Sequence, residues 1–166
     1  MTDEELVSLT RAAQRGDTRA MDALLDRLAP YVGRLCGPIA LQNASDAAQE
    51  ALIAVFRDLR NLREPDALLG WVRVIAVREA IRVARRSRAR AADELPEVPA
   101  VGDPMLTVDV RDVLERLSPQ HRAVLVLRDL EGLDERTISG LLNVELGTVK
   151  SRLHRARASF RKAWQR

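Results

Sequence analysis

DERTISGLLNVELGTVKSRLHRAR, residues 134–157, is the stretch that decides the fold. Asp134 is a helix-cap residue, and Ile138, Leu141 and Leu142 follow it at the spacing of a short amphipathic helix. Asn143-Val144-Glu145 then makes a turn, because asparagine tolerates positive φ. A second helix runs from about Leu146 to Trp164. Its apolar face carries Val149, Leu153, Ala156, Phe160 and Trp164. Its opposite face carries Ser151, His154, Arg155, Ala158 and Lys162, flanked by Lys150 and Arg161. A capped helix, a tight turn and a basic second helix make a helix-turn-helix. The small Ser151 and Ala158 let that helix sit deep in a major groove, while the cations around them reach guanine edges or phosphates. The helix start at Gly147 and Thr148 offers unpaired N–H groups to a phosphate. The competing reading is a terminal helix with a solvated basic face. The turn, the cap and the absence of acids weigh against it.

Working outward, Ser118-Pro119 pairs a cap residue with a first-turn proline and opens a helix to about Leu130, which Gly132 ends. Val108 to Leu117 reads as an amphipathic helix. Before it, Pro96, Pro99, Gly102 and Pro104 punctuate a stretch that reads as a flexible linker. On the N-terminal side a first helix covers about Glu4 to Arg15 and stops at Gly16. Asp17 caps a second helix bearing Ala20, Leu24, Leu28, Tyr31 and Leu35, with Pro30 as a place for a kink. Ser45 opens a third, with Ala48, Leu52, Val55, Phe56 and Leu59 as its apolar face. After a break at Asn61 to Pro65, a long helix spans about Asp66 to Arg86. No strand alternation competes with this pattern. The expected architecture is all-α: two small helical domains, residues 1–86 and 107–166, joined by a linker at 87–106.

Composition bounds the function. The chain has 166 residues, with 46% apolar, 31% charged and 3% aromatic residues, the balance of a soluble helical protein. No run approaches the roughly 20 apolar residues of a membrane span, and the acidic start Met1-Thr2-Asp3-Glu4-Glu5 is unlike a signal peptide, so a cytoplasmic protein is expected. One cysteine, Cys36, excludes an internal disulfide and a multi-cysteine metal site, and two histidines make a metal centre improbable. The net charge of +3 conceals two basic stretches. Thr148 to Arg166 holds seven Lys or Arg and no acid, and Arg73 to Arg90 holds seven arginines against Glu79. Two such helices suit two contacts with a polyanion. No glycine-rich phosphate loop, Cys/His cluster or Ser/His/Asp set stands out, so neither an enzyme nor a cofactor is expected.

The run Leu146-Gly147-Thr148-Val149-Lys150-Ser151-Arg152-Leu153-His154-Arg155-Ala156-Arg157 resembles the promoter-recognition helix of extracytoplasmic-function (ECF) sigma factors of bacterial RNA polymerase. Leu117-Ser118-Pro119-Gln120-His121-Arg122 and Leu127-Arg128-Asp129-Leu130-Glu131-Gly132-Leu133 resemble the same family, and the likeness covers essentially the whole chain. It implies that Lys150, Ser151, His154 and Arg155 touch bases of the minus-thirty-five element, with Thr148 and Arg152 in phosphate or supporting roles. It also implies a core-polymerase partner, promoter DNA and an anti-sigma factor. A stand-alone helix-turn-helix regulator and a helical adaptor are the alternatives.

On the third helix Asp46, Gln49, Glu50, Ile53 and Arg57 share a face that reads as solvated, or, given the exposed Ile53, as a partner surface. Asp46-Ala47-Ala48-Gln49-Glu50 is similar to the family segment that docks on the polymerase β′ clamp helices, which implies that Asp46, Gln49, Glu50 and Ile53 bind the polymerase. The β subunit is a further expected contact. On the fourth helix Trp71, Ile75, Arg78, Arg82 and Arg85 form a stripe, with Trp71 a core anchor and the arginines suited to a phosphate track. The family opens the minus-ten element here and in the preceding loop, which implies such roles for Asn61, Arg63, Arg78, Arg82 and Arg85. This chain departs from the family at Val77, Arg78 and Arg82, where arginine, asparagine and aspartate are usual. It departs again at Leu52, usually phenylalanine, and at Glu145, usually proline.

Overall fold

The computed structural model describes residues 3–93 and 110–165, and among these it contains helices and turns but no strand. Four helices form an N-terminal body: α1 (Asp3–Gln14), α2 (Thr18–Ala40), α3 (Ala44–Asp58) and α4 (Leu68–Asp93). Four more form a C-terminal body: α5 (Val110–Glu115), α6 (Pro119–Leu125), α7 (Glu135–Leu142) and α8 (Leu146–Trp164). The capping residues act as their chemistry requires. Asp17 accepts from the Ala20 N–H at 3.0 Å, Ser118 from His121 at 3.2 Å and Asp134 from Thr137 at 2.7 Å.

α2, α3 and α4 pack mutually around Leu24, Leu28, Val32, Leu35, Ile39, Val55, Leu59 and Val72, all buried. α2 runs on through both Pro30 and Pro38, so Pro30 does not end it. The helix stops at Leu41, a non-glycine residue held at φ 53° and ψ −117°, whose N–H bonds to the Gly37 carbonyl. In the C-terminal body, α6 passes into a wider π-type turn, Val126–Leu130, closed by the Glu131 N–H on the Val126 carbonyl at 2.9 Å. Gly132 follows at φ +69°, where glycine carries no steric penalty.

Three expectations need correction. The linker does not begin at Ser87, because α4 continues to Asp93 and the Asn43 amide donates to the Ser87 hydroxyl at 2.9 Å. Ala- and Arg-rich sequence without glycine or proline sustains the helix over those two extra turns. The expected linker beyond residue 93, and residues 107–109 of the expected second domain, lie outside the described residues. α3 buries Ala47, Ala51, Ala54 and Val55, whereas Phe56, expected on that face, is 58% exposed. Trp164, expected to be apolar-facing, is half exposed and stacks on Phe160 with ring centroids 6.1 Å apart.

The two bodies meet. α6 packs on α2 and α4, and one continuous buried cluster runs from Ile39 and Val77 to Val124 and Leu127.

Candidate nucleic-acid interface

The outward face of α8 is built by what its inward face must do. Val149, Leu153 and Ala156 are buried against α6 and α7, which leaves Lys150, Ser151, His154 and Arg155 exposed and Thr148 and Arg152 half-buried. The Ser151 hydroxyl donates to the Thr148 carbonyl at 3.0 Å and so lies along the helix. The turn that aims α8 depends on Asn143 at φ 53° and ψ 51° and on the Ser139 hydroxyl donating to the Val144 carbonyl at 2.6 Å. Arg157 is tied to Asp129 at 2.7 Å. His121, at the start of α6, also borders this face. Burial, then Arg152 and Arg155, hold its imidazole below the usual range.

On the N-terminal body the expected residues divide. Asn61, Arg63 and Arg85 are exposed, and Arg86, Arg88 and Arg90 extend the basic run. Arg78 is exposed too, and it donates to the Leu141 carbonyl of α7 at 3.1 Å. Arg82 forks onto Glu79 at 2.6 and 2.8 Å and reaches Glu50 at 3.4 Å, so its guanidinium is held above its usual range, first by the Glu79 hydrogen bond. Trp71 packs against the core, as its anchor reading requires. On α3, Asp46, Gln49 and Ile53 are exposed, Glu50 is half-buried, and Phe56 extends the row one turn further.

Sequence reasoning missed two residues between the bodies. Arg122 is only 6% exposed; its Nε donates to the Ile39 carbonyl at 2.8 Å, and one terminal nitrogen donates to the Leu117 and Leu114 carbonyls at 2.7 and 3.2 Å. Burial, reinforced by Arg88, pushes its pKa down to about 10. Glu131, whose side chain is 9% exposed, lies 3.6 Å from Arg34 and 3.5 Å from Arg73, and Arg73 also donates to the Tyr31 hydroxyl at 3.0 Å. The signal for Arg122 was present: Pro119, Arg122, Ala123 and Val126 fall on one helical stripe, all buried. An arginine in that row has to find carbonyls.

Comparison with known proteins decides what this surface belongs to. Residues 20–90 match the family described as Sigma-70 region 2, and residues 107–160 match Sigma-70, region 4. The RNA polymerase sigma-H factor of Pseudomonas aeruginosa is 32% identical over 190 residues, covering 99% of this chain and 96% of that protein. The chain belongs to the ECF sigma factors. The ECF RNA polymerase sigma factor SigE of Mycolicibacterium smegmatis is 36% identical over 163 residues, 88% of this chain and 63% of that protein. Two solved structures share the fold. One is the sigma factor RpoE in complex with the anti-sigma factor NepR from Bartonella quintana (TM-score 0.64, 19% identity, 87% of this chain and 96% of that one). The other is CnrH in complex with the cytosolic domain of CnrY (TM-score 0.62, 20% identity, 95% of each chain). This ECF sigma factor is thus a non-enzymatic transcription initiation factor that binds core RNA polymerase and promoter DNA, and the stand-alone regulator finds no support. No helix among the described residues is long and apolar enough to cross a membrane.

Proposed function

We propose that the two bodies divide the work of promoter recognition. The N-terminal body docks on the polymerase β′ clamp helices through Asp46, Gln49, Glu50 and Ile53, and Phe56 adds apolar area at the end of that row. Asn61, Arg63, Arg78, Arg82 and Arg85 take the opened minus-ten element. Thr148, Lys150, Ser151, Arg152, His154 and Arg155 read the minus-thirty-five element from the major groove. The observation that carries this reading is the exposed basic face of α8, set by the left-handed turn at Asn143. The protein works in the cytoplasm with the polymerase. An anti-sigma factor controls it, a reading supported by the likeness to a sigma factor held by one.

The docking row is tested first. Gln49→Arg with Ile53→Arg places two charges on an exposed face and leaves the packing of Ala47, Ala51 and Val55 intact. The double variant keeps wild-type helicity and loses co-purification with core polymerase. Normal transcription from its own promoter would place the docking surface elsewhere.

A further inference from the structure

α8 starts from a turn that lacks the proline usual there in the family. Glu145 takes its place, directly before Leu146, the first residue of α8. A proline at 145 would fix its own φ at about −65° and hold Val144 extended. Glu145 imposes neither restraint. It is exposed, its side chain makes no cap hydrogen bond, and among the described residues its N–H donates to no protein acceptor. Its φ of −60° and ψ of 147° are nevertheless the values a proline would adopt.

Ser139, in the last turn of α7, supplies the restraint. Its carbonyl accepts from the Val144 N–H at 3.1 Å, and its hydroxyl donates to the Val144 carbonyl at 2.6 Å. The first bond is the ordinary closure of a helix that ends in a left-handed residue, here Asn143. The second is no part of that closure. It grips the peptide that joins Val144 to Glu145. The Glu145 carbonyl then accepts from Thr148 and Val149 at 2.9 and 3.1 Å, which starts α8. Ser139 thus holds both backbone polar groups of the residue on which α8 turns.

A small error at this turn is magnified along the helix. Val149, Leu153 and Ala156 press α8 against α6 and α7, but apolar contact is non-directional and lets a helix rock. Lys150 to Arg155 lie about 8–15 Å beyond the turn at 1.5 Å per residue. A tilt of about 10° moves them by about 1–3 Å, whereas a recognition site tolerates about 0.5 Å.

We propose that Ser139 is a positioning residue for minus-thirty-five recognition. Its hydroxyl, bonded to the Val144 carbonyl, does in this chain what a proline at 145 would do, and it sets base preference without touching DNA. This rests on the reading of the minus-thirty-five element by α8 proposed above.

The test uses the full chain with core polymerase and promoters that carry single-base changes in the minus-thirty-five element. The quantity read is the ratio of output from cognate and altered promoters, which a uniform change in affinity does not move. Ser139→Ala keeps wild-type helicity and loses that ratio several-fold at several positions together, whereas Arg155→Ala loses it at one or two. Ser139→Thr, which keeps a hydroxyl, retains the wild-type profile. Glu145→Pro alone changes little, but it restores the profile of Ser139→Ala, so the two substitutions are not additive. Thr10→Val removes a hydroxyl-to-carbonyl bond from the N-terminal body and leaves the profile intact, which separates positioning from a general loss of stability. An unchanged profile in Ser139→Ala, with Arg155→Ala flattened, would overturn the role of Ser139. Equal flattening in Thr10→Val would overturn it as well. Unchanged profiles in both Ser139→Ala and Arg155→Ala would overturn the reading by α8 itself. Flattening that Glu145→Pro fails to restore would overturn the equivalence with proline.

Discussion

Arg122 has no neutral substitute, because its guanidinium donates to the buried Ile39 and Leu117 carbonyls and shares the Leu114 carbonyl with the Leu117 N–H, and those bonds go with it. Arg122→Met should lower stability by about 2–4 kcal/mol, read by chemical denaturation. Its folded pKa of about 10 lies below the ordinary guanidinium range, so the unfolded chain binds more protons only above about pH 10. Stability from this group therefore rises with pH only there, and the loss in Arg122→Met should be constant from about pH 6 to 9. His121 behaves differently. Its folded pKa is depressed by burial, Arg152 and Arg155, so as pH falls below about 6.5 the unfolded chain takes the proton first and stability drops. His121→Gln should flatten that acid limb in thermal melts; an unchanged limb would mean that His121 is not its source. On the reading face, Arg155→Ala should remove about 1–3 kcal/mol of discrimination at one or two bases, scored by transcription from promoters with single-base changes. Lys162→Ala, two turns on, should lower output evenly across them.

Among the elements, the connection from α7 to α8 sets the direction of the reading face. Asn143→Gly should be nearly neutral, while Asn143→Val should cost about 1–2 kcal/mol because a branched side chain resists the left-handed conformation. Leu41 invites the reverse experiment, since glycine there relieves about 1–3 kcal/mol of backbone strain. Leu41→Gly should cost far less in a denaturant midpoint than Leu35→Gly, which empties the core. The ends of elements were legible because they are local: Asp17, Ser118, Asp134 and Asn143 each satisfy or bend backbone within three residues of themselves. The buried face of α3 was not. It is wedged between α2 and α4, where Ala47, Ala51 and Ala54 permit close approach, and a reading that follows bulk turns Phe56 inward instead. The outward face of α8 was legible because α8 has one buried side. The engagement of Arg78 was hidden because its acceptor lies 63 residues away, and no periodicity encodes that distance.

At the scale of the whole molecule, the charge is distributed as two basic surfaces on two bodies, and the salt dependence of DNA binding should follow. Contact with about six phosphates gives a slope near −5 in log K against log salt, and Lys150→Ala should reduce it by about one. A slope near zero in a salt titration would remove phosphate contact from the account. The packing of the N-terminal body has a separate use. Cys36, the chain's one cysteine, is fully enclosed between α2 and α4, with its thiol donating to the Ala76 carbonyl at 3.6 Å. Burial, with a smaller push from Glu79, raises its pKa to about 12. A maleimide therefore finds neither access nor thiolate while these helices stay together. The rate at which the unaltered protein takes up such a reagent becomes a clock for the moments when α2 and α4 part, and a partner that grips the N-terminal body should slow that clock without touching the sulfur.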